Sequence, residues 1–183
     1  MKIGLLRIGE VDSAAVGRIQ EALVEAFPKT KCALIAETLP VPKEAFDSGR
    51  KQYSSDVIVD RVQEYAEKHG TLTRVLGIVD VDIFVPPLSF VFGEAKCPGK
   101  AALISLHRLR PEFDGQKPDL ELLMERTGKE AVHELGHTFG LEHCSNPFCV
   151  MYFSNSIFDT DRKQGFYCNK CQRKIDSIWD TLA

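Results

Sequence analysis

The chain has 183 residues, 44% of them hydrophobic and 27% charged, with 23 basic against 26 acidic side chains and a net charge of −3. This is enough chain, of ordinary enough composition, to bury one full core. It lacks the basic surplus that nucleic-acid binding requires, and no stretch approaches the ~20 apolar residues of a membrane-spanning helix. Residues 2–8 predict a first strand and 13–27 a helix, with Val16, Ile19, Leu23 and Phe27 on one face. Residues 31–36 read as a second strand, and Pro40, Pro42 and Asp47-Ser48-Gly49 as a loop. A helix over 55–69 carries Ile58, Val62, Tyr65 and Ala66 and is stopped by Gly70, with His69 solvated at its end. Residues 73–79 form an apolar central strand, and Asp80 and Asp82 beyond it read as turn formers. After Pro86-Pro87, residues 89–95 and 101–107 read as two more strands joined by a turn at 97–100, with His107 structural.

Pro118 suits the first turn of a long helix that runs to Phe139, with Asp119 and Glu121 favourable at its N-terminal dipole. Its apolar stripe is Leu120, Leu123, Ala131, Leu135 and Phe139, and Gly128 is a point where it can break. Residues 141–167 are rich in Ser, Asn, Pro and Asp and predict little regular structure. A last helix near 169–182 carries Cys171, Ile175, Ile178, Trp179 and Leu182 on one face.

The chemistry is concentrated near the end of the long helix. Residues 133–143 read H-E-x-x-H-x-x-G-x-x-H. Helical residues four apart differ by about 40° in azimuth and about 6 Å in rise, so His133 and His137 share a face and can grip one metal ion. Gly140 tolerates positive φ, ends the helix and turns the chain, which brings His143 back as a third nitrogen donor. Three protein ligands leave a fourth position open, the mark of a catalytic zinc. Glu134 sits beside the first ligand, within reach of a water held there.

Cysteines follow at once: Cys144, Cys149, Cys168 and Cys171, in the pattern C-x4-C…C-x2-C. Four thiolates close a tetrahedral site with no open position. The alternatives are two disulfides or inert buried thiols. The apolar run at the N-terminus is broken by Arg7 and is too short for a secretory signal. A cytoplasmic location is therefore expected, and reduced clustered thiols there bind metal more often than they crosslink. Cys32 and Cys97 have no such partner and read as small buried hydrophobes.

The whole pattern from His133 to Cys171, with Met151 between the cysteine pairs, resembles the archaemetzincins, a family of small zinc metallopeptidases within the metzincins. The spacing from Met151 to Cys168 is one residue shorter than the family pattern, a loop deletion that leaves ligand identity intact. The resemblance implies that His133, His137 and His143 bind a catalytic zinc and that Glu134 is the general base acting on zinc-bound water. Met151 forms a hydrophobic floor beneath the metal, and Cys144, Cys149, Cys168 and Cys171 hold a structural zinc, giving two zinc ions per chain.

Together with the element order, it implies an α/β fold: a metzincin-like mixed twisted sheet with packed helices, a long active-site helix and a small zinc-stapled C-terminal subdomain. Residues 1–140 would form the N-terminal α/β subdomain ending in that helix. Residues 141–183 would carry the Met-turn, the four-cysteine site and the terminal helix.

In metzincins an edge strand pairs with extended substrate, and residues 89–95 match best, with Gly93 allowing close approach. Glu94 is a candidate to capture a free substrate amine, and Tyr152 a weak candidate for oxyanion contact.

The expected function is a zinc-dependent metallopeptidase acting on peptide or protein substrates, monomeric, with no nucleic-acid or membrane partner. No segment precedes the first strand, so control by a leading propeptide is not expected. The alternatives are a zinc hydrolase of another amide or ester, and a zinc- and peptide-binding protein with little turnover.

Overall fold

The computed structural model describes residues 1–28 and 30–182, with side chains up to residue 178. In chain order the first elements are β1 (Lys2–Ile8), α1 (Ser13–Ala26), β2 (Lys31–Leu39), β3 (Phe46–Asp47) and β4 (Gln52–Ser54). They are followed by α2 (Ser55–Lys68), β5 (Arg74–Val79), β6 (Ile83–Phe84), β7 (Gly93–Ala95) and β8 (Ala101–Ser105). Three helices complete the chain: α3 (Leu120–Thr138), α4 (Ile157–Arg162) and α5 (Asn169–Leu182).

The main sheet has the order β2-β1-β5-β8-β7. Its first four strands are parallel, and β7 pairs antiparallel with β8 at one edge. The expected mixed α/β sheet is therefore what forms. β3, β4 and β6 make a second small sheet that the sequence did not announce, because two- and three-residue strands carry no periodicity to read.

Alternation along β1 explains the layers. Ile3 and Leu5 point to one face and join α1 and α3 through Ile19, Leu23, Val132 and Leu135. Leu6 and Ile8 point to the other and join α2 through Ile58, Val59 and Val62. A sheet covered by helices on both faces needs apolar side chains on both, which is why β5 and β8 are buried along almost their whole length. The first core also takes in Cys149, Val150, Met151, Tyr167, Cys171 and Ile175, so the C-terminal segment packs on the same apolar body.

Most predicted elements hold within a residue or three, and the exceptions have causes. Of residues 89–95 only Gly93–Ala95 are strand; Phe92 O still accepts from Ser105 N–H of β8 at 2.8 Å, and Val91 N–H turns to Ile83 O at 3.1 Å. The strand after it ends at Ser105 and passes into a 3₁₀ turn at His107–Leu109. The long helix starts at Leu120, because the Asp119 side chain caps it by accepting from Leu122 N–H at 3.0 Å; Pro118 lies outside it. Leu120 is 59% exposed and leaves the apolar stripe, whereas Leu123, Ala131, Leu135 and Phe139 are buried.

Gly128 does not break α3. A methyl group there would lie 3.1 Å from Ala22 Cβ, so the glycine lets α1 pack closely. Asp80 and Asp82 do more than turn the chain: Asp80 pairs with Arg110, and Asp82 holds Arg108 through two bonds of 2.6 and 2.8 Å. On α5, Cys171 and Ile175 are buried and Ile178 packs against the core; the side chains of Trp179 and Leu182 lie outside the described residues. No described helix is long and apolar enough to cross a membrane.

Candidate metal centre and active site

The end of α3 builds the site. Gly140 has φ +83° and follows Phe139, the C-cap. Gly140 N–H bonds His137 O at 2.8 Å, and Leu141 N–H bonds Gly136 O at 3.3 Å. This is a Schellman motif, which satisfies two carbonyls left open at the helix end and reverses the chain. The reversal sets His143 against the helix. Its ring lies 5.4 Å from that of His133 and 4.8 Å from that of His137, centroid to centroid.

Hydrogen bonds orient two of the rings. His133 Nδ1 lies 2.7 Å from Val150 O, and His137 Nδ1 lies 2.6 Å from Leu141 O. A carbonyl only accepts, so each Nδ1 carries the proton and each Nε2 is left with a bare lone pair. Those two Nε2 atoms sit 3.1 Å apart, with no proton to share between them. Two lone pairs at that distance call for a cation. Tetrahedral zinc with ordinary Zn–N bonds separates its nitrogen ligands by about 3.4 Å. Ligand atoms of His133, His137 and His143 all lie within 4.8 Å of one another, so the three residues fit a zinc ion.

Burial holds the imidazoles neutral. It pushes His133 well below the ordinary histidine range, with help from the Lys163 ammonium, and brings His137 down to about 4. His143, more exposed, is lowered by the same cause.

Glu134 is buried beside this cluster. Burial raises its carboxyl well above the ordinary range, the neighbouring Glu130 raises it further, and Lys163 opposes both. β7 lies directly over Glu134, with Gly93 at the point of contact. From below, Met151 packs against Gly136, where a methyl group would come within 2.5 Å of its Sδ.

The cysteines form the second cluster. Cys144, Cys149, Cys168 and Cys171 also bring one ligand atom each within 4.8 Å of one another. Cys144 Sγ and Cys168 Sγ are 3.8 Å apart, about the edge of a tetrahedron with Zn–S bonds of about 2.3 Å. All four are free thiols, which removes the disulfide alternative. Cys149 Sγ accepts from Cys168 N–H at 3.3 Å, and Cys144 Sγ from Asn146 N–H at 3.5 Å. Burial pushes the Cys168 thiol up, but backbone N–H groups of Cys171 and Lys170 and the Cys149 thiol outweigh it and bring it down to about 7. These residues fit a closed zinc site.

The cleft above the histidines has a volume of about 400 Å³. Its walls include Phe90, Phe92 and Phe153, and its floor includes Glu130. Glu94 lines the cleft, and one of its carboxylate oxygens accepts from Ser55 Oγ on α2. Tyr152 is absent from the lining, and Phe153 takes that place. Cys97 is an exposed thiol at the rim of the cleft, not a buried hydrophobe; Cys32 is buried as expected.

Reading the sequence missed Glu130 and Lys163. Glu130 lies one turn before Glu134 on the same face of α3, a spacing that was available. Lys163 Nζ lies 2.8 Å from Glu130 Oε1, and both side chains are almost wholly buried. Nothing in the sequence marks that lysine as internal.

The family model of peptidase family M54 matches residues 29–177. The chain belongs to this family. The archaemetzincin of Pyrococcus abyssi is 45% identical over 175 residues, covering 94% of this chain and 93% of that one. The archaemetzincin of Methanocaldococcus jannaschii is 41% identical, covering 96% and 93%. Among solved structures, the archaemetzincin of Archaeoglobus fulgidus superposes with a TM-score of 0.81 at 36% identity, over 95% of this chain and 99% of that one. A zinc-dependent peptidase from Methanocorpusculum labreanum superposes with a TM-score of 0.85 at 28% identity, over 94% and 99%. M54 membership makes the chain a zinc metallopeptidase, a hydrolase acting on peptide or protein, and the two ligand clusters are suited to one zinc each.

Proposed function

We propose that Glu134 is the general base and acid of peptide hydrolysis, that His133, His137 and His143 hold the catalytic zinc, and that Cys144, Cys149, Cys168 and Cys171 hold a structural one. When bound, zinc supplies a Lewis acid that acidifies a water and polarises a carbonyl. The chain's own residues do the remaining work. The Val150 and Leu141 carbonyls hold two rings by Nδ1, so their Nε2 atoms need no reorganisation. Glu134, buried beside the histidines, takes a proton on a carboxylate oxygen and gives it to the leaving amine. Met151 is the floor of the site. Residues 1–140 form one subdomain and 141–183 the other, with the cleft between them and the turn at Gly140 as the boundary. β7, at the edge of its sheet, accepts an extended substrate by strand addition. The enzyme works as a monomer in the cytoplasm, where reducing conditions keep clustered thiols available as zinc ligands.

The observation that carries this reading is the 3.1 Å approach of two unprotonated Nε2 atoms beside a buried carboxylate. The test is hydrolysis of a mixed peptide library by the wild type and by Glu134→Gln, with zinc content measured on both. The wild type should cleave. The variant should keep its zinc and lose about two to four orders of magnitude in rate. Equal rates would remove Glu134 from the mechanism.

A further inference from the structure

Beyond the catalytic cleft, α3 continues towards its N-terminus for more than two turns, and a second depression lies alongside. It has a volume of about 230 Å³ and is lined by Phe90, Phe92, Arg108, Phe113, Ile157 and Phe158, among others. Phe90 and Phe92 also line the catalytic cleft, so the two hollows adjoin. At this volume it is smaller than a whole-ligand pocket, about 300–1,000 Å³, and suits a single side chain.

Three features make it a built surface. Its floor is packed: Phe92 and Ile157 are buried and join Leu109 and Leu123 in one apolar cluster. One wall is rigid. The Arg108 guanidinium is held by Asp82 through two bonds and lies 4.3 Å from the Phe90 ring centroid and 4.6 Å from that of Phe113. Its rim carries two aromatic rings open to water, Phe158 at 72% and Phe113 at 44% exposed, alongside the polar Asp114, Asn155 and Ser156. Two exposed aromatic rings on one hollow beside the cleft offer apolar surface that a substrate side chain can cover.

Which part of a peptide reaches it follows from the sheet. Gly93 of β7 lies over Glu134, so the scissile bond sits opposite Gly93. The outer edge of β7 is free within its sheet, and antiparallel pairing is the more stable and more frequent arrangement. A peptide antiparallel to β7 runs from the Ala95 end towards Phe92 and Phe90, so its residues after the scissile bond approach the second hollow. The cluster at its floor includes Leu123 on α3, ten residues before His133, or roughly 15 Å at about 1.5 Å per residue. An extended peptide covers 10–15 Å in roughly three to four residues.

We propose that this hollow is a remote substrate subsite. It takes an aromatic or large aliphatic side chain three to four residues after the scissile bond. The proposal rests on the peptidase reading above and adds that the enzyme gains from substrates extending several residues beyond the cut.

The test compares fluorogenic peptides of one core sequence. One set ends one residue after the cut. Another extends five residues, with Phe or Gly at positions three and four. A third carries the Phe residues before the cut. For the zinc-loaded wild type, Phe in the long peptide should raise kcat/KM by about tenfold over Gly, mostly through KM, from partial burial of a large apolar side chain. Phe113→Ala/Phe158→Ala should abolish this gain while leaving zinc content and the short peptide unchanged. Phe158→Ala alone, at the more exposed position, should lose part of it, and Phe158→Leu should keep most of it. An undiminished gain in the double variant would overturn the subsite, as would the same gain from Phe before the cut. If the wild type cleaves none of the peptides, the catalytic reading fails. Anisotropy of the labelled long Phe peptide then still decides the subsite: tighter binding to wild type than to the double variant supports it, and equal binding overturns it.

Discussion

Gly93 and Glu134 occupy touching volumes. A methyl group on Gly93 would stand 2.6 Å from Glu134 Cγ and 2.7 Å from Oε1, and also 2.6 Å from Leu103 O across the ladder. Turning the Glu134 side chain relieves only the first two contacts, and the clash with the Leu103 carbonyl also forces β7 away from β8, so the substitution displaces both the carboxylate and the strand over it. Gly93→Ala should therefore lower kcat/KM by about a hundredfold, the scale of a misplaced catalytic group. Zinc content should stay at the wild-type value, because no histidine is touched. Near-normal activity would mean that Glu134 tolerates the shift.

The two ligand clusters share a short strip of chain. Cys149 belongs to one cluster, Val150 O holds the His133 ring at 2.7 Å, and Met151 packs under Gly136. Cys144 N–H, next to His143, bonds Met151 O at 2.8 Å. Structural zinc is folding free energy for the segment that carries it. Cys171→Ser should thus weaken catalytic zinc binding and lower activity, although Cys171 is not among the three histidines. A chelator titration of both proteins tests this; an unchanged dissociation constant for the catalytic zinc would make the clusters independent.

The Lys163–Glu130 pair is almost wholly buried under the cleft, and Thr160 Oγ1 donates to the same Glu130 oxygen at 2.9 Å. Removing one partner leaves a buried charge without compensation, at about 3–5 kcal/mol. Lys163→Met should lose stability on that scale in denaturant unfolding of the zinc-loaded protein. Adding Glu130→Gln should restore much of it. Full additivity of the two losses would argue against the pairing.

Acid should act through the histidines in the metal-free protein. His137 titrates at about 4 when folded, against an ordinary 6.5, chiefly because it is buried. Below about pH 6.5 the unfolded chain takes up a proton that the folded chain refuses until about pH 4. The histidine therefore contributes stability above 6.5 that is lost across that window. Glu134, whose pKa is raised, works in the opposite direction, so a difference measurement is needed. The advantage in Tm of the chelated wild type over chelated His137→Gln should shrink from pH 7 to pH 4. A constant difference would place the His137 titration outside this range.

The sequence by itself marked the candidate ligands, and the fold brings them together. Helical period puts His133 and His137 on one face, positive φ at Gly140 requires the residue found there, and the cysteine spacing closes a second site. These are local rules, acting within a few residues of backbone, and they survive whatever surrounds them. The layer pattern was legible for the same reason: β1, α1, α2 and β5 carry clear periods. Tertiary structure decided the rest. Lys163 is internal only because α4 and the chain after it lie against α3, and no property of a lysine in sequence reports that. Cys97 reaches the rim of the cleft because its loop passes beside Leu141, whose carbonyl lies 3.8 Å from its Sγ. Gly128 reads as a helix breaker until α1 packs against it. Phe90 and Phe92 read as strand, yet they lie beyond the last paired residue of β7 and wall two adjoining hollows, because their burial against Leu109, Leu123 and Ile157 is set by contacts distant in sequence.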